Sequence, residues 1–407
     1  MADHYDALET RSADEREHAQ FECLRAHIAA SKRAAPAVGA MLADVDPEAV
    51  TDRAALARLP VLRKSALGEA QKAAPPLGGF AAGFCGHVFM SPGPIFEPGG
   101  VGHDWWRFGR ALHAAGLRKG DLLHNCFAYH LTPAGMMIES GARAVGAAVF
   151  PGGVGNTEAQ VQAAAHLRPG FWAGTPDFLK VILDKAPDLR ADLSSITRAL
   201  VSGGALFPSL RQEYADRGVS VLQCYATADL GLVAYESPAQ EGMLLDESVI
   251  VEIVRPGTGD PVAEGEVGEV VVTALNADYP LIRFATGDLS AMMPGASPCG
   301  RTGPRIRGWM GRADQTAKIK GMFVRPEQIA TICDRHKLVM RARLTITRDG
   351  EQDAFEIAAE APDVPDLASA VAATARDVLK LSGAVRIVPI GSLPNDGKVI
   401  DDQRKYD

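Results

Sequence analysis

The stretch VLQCYATADLGL, residues 221–232, ends an apolar run with Tyr225, Ala226 and Thr227 and then supplies Asp229. An aromatic ring at a strand end can stack on a purine. A carboxylate four residues on can hold a magnesium ion carried by phosphates. The same spacing suits a core tyrosine followed by an acid that caps a turn, and spacing alone does not choose between them. In RFATGDLS, residues 283–290, Asp288 follows Gly287 at the end of another strand-like run. A carboxylate there can accept both hydroxyls of a ribose, or Gly-Asp can simply close a hairpin. Arg283 reads as either a phosphate partner or a surface charge.

A further loop, MSPGPIFEP at 90–98, follows a short strand. Ser91 and Gly93 suit a turn whose backbone N–H groups wrap a phosphate. Pro94, Ile95 and Phe96 stand where small or hydroxyl residues would help, and Glu97 replaces a helpful lysine. A carboxylate beside a polyphosphate is repulsive unless a cation intervenes. An ordinary Pro/Gly turn is the competing reading. Gly311-Arg312-Ala313-Asp314 is a turn sequence, and Gly321 beyond it suggests close backbone approach or a positive φ. Lys398 lies in a Pro/Gly loop, LPNDGKVIDDQ. A lysine on such a loop can reach a carboxylate and a phosphate together, although lysines there are usually solvated. Cys85-Gly86-His87 and His124-Asn125-Cys126 each put Cys and His on one strand face. Their separation and lack of a tight loop argue against zinc.

These residues need elements to hold them. Residues 10–60 read as helices, with 19–30 at helical spacing. From Phe84 onward short strands and helices alternate. Residues 104–116 read as an amphipathic helix that packs Trp105, Trp106 and Phe108 on a sheet. This β-α-β rhythm predicts a mainly parallel sheet covered by helices. Ligands bind beyond the carboxyl ends of such strands. The loops at 91–102, 128–133, 202–207 and 225–231 are therefore the ones to watch. After Ser248 shorter strands and turns predict antiparallel structure. A small unit starts near Gly311, running strand, turn, strand, helix, two strands, helix, strand, with 363–366 capping the last helix. The fold class expected is α/β: a large domain at 1–310, of mainly parallel sheets with helices plus a β subdomain, and a small α+β unit at 311–407.

Bulk properties narrow the partners. The 407 residues suffice for a large core. A net charge of −8 opposes a nucleic-acid binder with a general basic face. The six cysteines form no CxxC, so neither a zinc ribbon nor a redox motif is indicated. The polar N-terminus lacks an apolar signal core, and no apolar run approaches the roughly 20 residues that span a bilayer. A cytoplasmic protein without membrane or nucleic-acid partners is expected. Its oligomeric state stays open, a homodimer included.

Taken in order, these motifs resemble the adenylate-forming superfamily, in particular its phenylacetate–coenzyme A ligase-like branch. The resemblance runs from about Asp46 to Lys398. Residues 56–67, LARLPVLRKSAL, look like that branch's opening LPxxxK segment. Ser91 and Gly93 fall at its phosphate loop, and Ser202, Gly203, Gly204 and Ala205 match the Gly-rich turn beside the adenine and acyl pocket. Tyr225, Ala226, Thr227 and Asp229 match its aromatic–acid motif, with Ala228 where a hydroxyl is expected and Asp229 where a glutamate is. Asp288 falls on the ribose-binding aspartate, Arg312 on a phosphate-contacting arginine, Asp314 on the hinge and Lys398 on the adenylation lysine. The resemblance implies a mobile C-terminal lid at 311–407, with ATP/AMP, Mg²⁺ and coenzyme A as cofactors. Asp229 would hold Mg²⁺ through ATP, and Lys398 would act in catalysis. It also implies a small carboxylic acid substrate, apolar or aromatic, in a pocket containing Phe127, Tyr129, His130, Met136 and Met137. Two alternatives stay open: an adenylating enzyme with another acceptor, and a non-catalytic nucleotide or acyl binder.

Overall fold

The computed structural model describes residues 4–404 apart from 93, 205, 207, 311, 312, 314–316, 321, 325, 350, 351 and 395–398. The chain divides into two compact units, Met1–Met310 and Gly311–Asp407. In the first, five parallel strands lie side by side in the order Ala148–Pro151, Leu122–Asn125, Phe171–Gly174, Arg198–Val201 and Ser220–Thr227. Phe171, Trp172 and Ala173 have no exposure, as expected for a strand covered on both faces. The intervening helices carry ordinary start and stop signals. Pro176 opens Pro176–Lys185, and Gly146 ends Ala134–Val145 in a left-handed conformation with φ 89°.

At Ser220–Thr227 the sheet changes character. Its next neighbour, Gly231–Glu236, runs antiparallel, and three more antiparallel strands complete a nine-stranded sheet. Residues 228–230 thus form the turn at the reversal. Gly231 closes it with φ 74°, and a Cβ there would stand 2.9 Å from the Trp106 carbonyl oxygen. Only glycine satisfies both conditions.

A second, four-stranded sheet has the order Leu62–Arg63, Phe284–Ser290, Gly268–Ala274, Val249–Val254, with its first pair parallel. Arg283 is neither a phosphate partner nor a surface charge. It is 1% exposed, pairs with both Glu252 oxygens at 3.0 Å, and donates to the carbonyls of Ala57, Leu59 and Gly259. Removing one member of such a pair typically costs about 3–5 kcal/mol.

Two local expectations fail for identifiable reasons. The expected loop at 91–102 is largely a strand: Ile95–Gly100 pairs antiparallel with Gly86–Ser91. Gly99 and Gly100 lie against the Trp106 and Trp105 rings, which leave no room for a side chain. The expected helix at 104–116 is helical only over Gly109–Ala114. Asp104 and Arg107 take positive φ, Asp104 accepts from the Gly109 N–H at 2.8 Å, and Trp105 donates to Asp278 at 2.7 Å. Long-range polar anchors override the apolar spacing here.

The second unit holds a four-stranded sheet ordered Ala384–Val388, Gln352–Glu360, Arg341–Asp349, Ile400–Asp402, with a hairpin of Ala317–Ile319 and Met322–Val324. Helices Pro326–Asp334 and Leu367–Leu379 accompany these strands. Asp366 occupies the N-cap position of the second helix, but its side chain makes no capping bond.

Two buried histidines set an acid limit on stability. Burial holds His27 and His124 at about 4, against 6.5 for a free imidazole. Between those values an unfolded histidine binds a proton that the folded one does not, so the histidines' contribution is full above about pH 6.5 and is lost as pH drops towards 4. A fall of roughly 3 kcal/mol per histidine is expected at the acid end. In Tm scans between pH 7 and 4 the parent should lose stability relative to His27→Gln, which removes one of the two contributions. An unchanged slope would contradict the assignment.

Candidate active site

The C-terminal ends of the parallel strands build an apolar cavity of about 130 Å³. Phe127 follows the strand Leu122–Asn125, Met137 and Ile138 face inward from helix Ala134–Val145, and Phe108 closes one side. Ser202 and Gly203 supply the turn after Arg198–Val201. The Ser202 hydroxyl donates to the Cys224 carbonyl at 2.9 Å, fixing that turn to the neighbouring strand. Ala226 and Thr227 complete the wall from the end of Ser220–Thr227.

Of the residues expected in an acid pocket, Phe127 and Met137 line this cavity. Tyr129, His130 and Met136 do not. The Tyr129 hydroxyl instead accepts from Asn125 at 2.7 Å, and the same amide holds the Gly135 carbonyl at 2.8 Å. The buried face of 134–145 joins Ile138 to Met137, so the helical period could have found Ile138 as well. Phe108 left no such signal.

The same strand, Ser220–Thr227, also carries a residue of a second constellation. Tyr225 is 8% exposed and donates its hydroxyl to Asp288 at 2.8 Å. The Trp309 indole N–H donates to the other Asp288 oxygen at 3.0 Å. The Asp288 N–H donates to the Thr286 hydroxyl, which in turn donates to the Val270 carbonyl. The carboxylate is thereby fixed in orientation. Trp309 was missed because nothing in its local sequence marks it.

A third group lies around the Gly86–Gly100 hairpin. Asp229 turns its side chain inward and pairs with Lys64 at 2.7 Å, while the Thr227 hydroxyl caps the turn by accepting from the Leu230 N–H at 3.1 Å. Ser91 donates to Glu97, which has no exposure. Burial, and then the nearby Asp229 charge, push the Glu97 carboxyl up to about 8. Glu97 Oε2, Asp229 Oδ1 and the Tyr279 hydroxyl have no hydrogen-bond partner among the described residues.

His124 Nε2 and Cys126 Sγ lie 3.3 Å apart and share Gln160 Oε1, and burial pushes the thiol up. Among the described residues no three His, Cys, Asp or Glu side chains form a metal-holding group. Gly204 is exposed beside the cavity turn. Gly93, Ala205, Arg312, Asp314 and Lys398 lie outside the described residues.

Residues 127–276 match the family model of AMP-binding enzymes. The chain is 30% identical over 340 residues to a phenylacetate–coenzyme A ligase of Thermus thermophilus, covering 78% of this chain and 75% of that protein. The chain belongs to the phenylacetate–coenzyme A ligase family. A second member, from Aromatoleum evansii, is 27% identical over 78% of this chain and 74% of its own. The fold matches the crystal structure of a 2-hydroxyisobutyryl-CoA ligase in complex with 2-HIB-AMP and CoA. That match has a TM-score of 0.75 at 24% identity, over 98% of this chain and 92% of that one. In this family frame the match to AMP-binding enzymes includes Phe127, Ser202, Gly203, Tyr225 and Asp229, while Asp288 and Trp309 lie beyond it. Among the described residues no helix is long and apolar enough to cross a membrane.

Proposed function

We propose that this chain is an AMP-forming acid–coenzyme A ligase acting on a small apolar carboxylic acid. One observation carries the reading. A single strand, Ser220–Thr227, forms a wall of the apolar cavity with Ala226 and Thr227 and presents Tyr225 to Asp288. An acyl group and a nucleoside held at the same strand end are what joining a carboxylate to an α-phosphate requires.

In this reading Asp288, preset by Tyr225 and Trp309, accepts the ribose hydroxyls. The acid's apolar body fills the cavity, and its carboxylate points towards the Ser202–Gly203 turn and Thr227. The carboxylate attacks the α-phosphate of ATP, forming the acyl-adenylate and releasing pyrophosphate. Coenzyme A then attacks the mixed anhydride through its thiol, and AMP leaves. Lys398 neutralises charge during adenylation, Arg312 contacts phosphate, and Asp314 is the hinge of a mobile lid formed by 311–407. A magnesium ion bound with ATP would spread the polyphosphate charge. The unpartnered Asp229 Oδ1 in a buried acidic pocket fits such an ion, and Asp229 would hold it.

The cavity's size narrows the acid. A dry apolar cavity of about 150 Å³ accommodates benzene, so about 130 Å³ suits a body near one aromatic ring. Ala134 lines it from the first helical turn. Ala134→Leu is expected to raise the KM of an aryl acid about tenfold or more and leave AMP affinity unchanged. Equal loss for nucleotide and acid would contradict the placement.

Pyrophosphate release and thioester formation with a panel of carboxylic acids test the whole reading. Release without a thioester points to another acceptor. The buried Glu97 favours a second reading, a relative that binds nucleotide or acyl ligand without turnover. No release with any acid, alongside measurable AMP binding, would select it.

A further inference from the structure

The group buried at the hairpin sets two carboxyls beside a single ammonium. Four elements deliver it: Lys64 opens helix Lys64–Ala73, Glu97 lies in strand Ile95–Gly100, Asp229 sits in the reversal turn, and Tyr279 precedes Phe284–Ser290. Glu97, Asp229 and Tyr279 are 0%, 5% and 2% exposed. Lys64 satisfies one oxygen of Asp229, and Ser91 one oxygen of Glu97. The remaining oxygen of each carboxylate, and the Tyr279 hydroxyl, are unpartnered among the described residues. The Asp229 charge raises the cost of ionising Glu97, and both act on Tyr279. With both ionised, one ammonium leaves the group a charge short. An uncompensated buried charge costs several kcal/mol.

Two carboxylate oxygens and a hydroxyl, all buried and lacking donors, are hard-cation chemistry. Mg²⁺ is held by one or two carboxylates and takes its other ligands from water and substrate phosphates. We propose that Glu97 and Asp229 together bind a divalent cation in the nucleotide-free protein. This cation, in place of a lysine at 97, then receives the polyphosphate. The second half rests on the ligase reading; the binding of the cation does not. Glu97 is thus a ligand where its charge would otherwise repel ATP. The chain keeps a workable phosphate site despite its unfavourable 94–97 segment.

Mn²⁺ titration of the full nucleotide-free chain, followed by electron paramagnetic resonance, tests this. A single Mn²⁺ should bind at submillimolar concentration and be displaced by Mg²⁺. Glu97→Gln and Asp229→Asn should each weaken binding at least tenfold. Mg²⁺ should raise the Tm of the parent chain at constant ionic strength and do so less in Glu97→Gln. This comparison holds for whichever variant folds. Absence of Mn²⁺ binding without nucleotide overturns the proposal and leaves a proton on Glu97 as the neutralising charge. Undiminished binding in both variants also overturns it. A chain that forms thioester from MgATP yet binds no Mn²⁺ alone loses this inference and keeps the ligase reading. One that binds Mn²⁺ but releases no pyrophosphate does the reverse.

Discussion

Asp288→Ala is expected to weaken AMP binding by about a hundredfold. Two hydrogen bonds from ribose hydroxyls to a carboxylate contribute about 1.5–3 kcal/mol each, and about 2.8 kcal/mol in total already gives that factor. The substitution also strips the Tyr225 hydroxyl and the Trp309 indole of their shared acceptor. Asp288→Asn keeps an acceptor for one of them and should lose less. Calorimetry with AMP reads the affinity, and the acid's affinity, measured separately, should stay within twofold. AMP affinity within threefold of the parent in Asp288→Ala would remove the ribose from this carboxylate.

Lys398→Ala is expected to slow acyl-adenylate formation by about 10²–10³-fold, the scale for removing one preset charge stabiliser. Thioester formation from supplied acyl-adenylate should be nearly unchanged. The assignment comes from the LPNDGKVIDDQ segment, since Lys398 lies outside the described residues. Single-turnover measurements of each half-reaction separate the two steps. Matching losses in both would mean the lysine does something other than assist adenylation.

Much of the architecture was legible because it depends on local periodicity. The alternation of short apolar runs with helical spacing from Leu122 to Thr227 predicted the parallel strands, and the VIVEIV and EVVVTAL runs predicted antiparallel neighbours. The segment at 104–116 was not legible. Trp105 and Phe108 stand at helical spacing, yet Asp278, distant in the chain, holds Trp105 in an irregular stretch. The strand at 95–100 was hidden for a similar reason. Its Pro/Gly composition signals a loop, whereas its pairing and the rings over Gly99 and Gly100 make it a strand.

Residue type and order placed Tyr225, Asp229 and Asp288 in segments that resemble the motifs of adenylate-forming enzymes, because such motifs are contiguous in the chain. Tertiary structure decided what each side chain meets. It set Tyr225 on Asp288, turned Asp229 to Lys64 rather than to its own turn, and committed Arg283 to Glu252. It also buried Glu97 beside another acid. The physical reason is that a charge's role depends on the partner and the dielectric around it. Those are supplied by residues tens to hundreds of positions away, which no local pattern encodes.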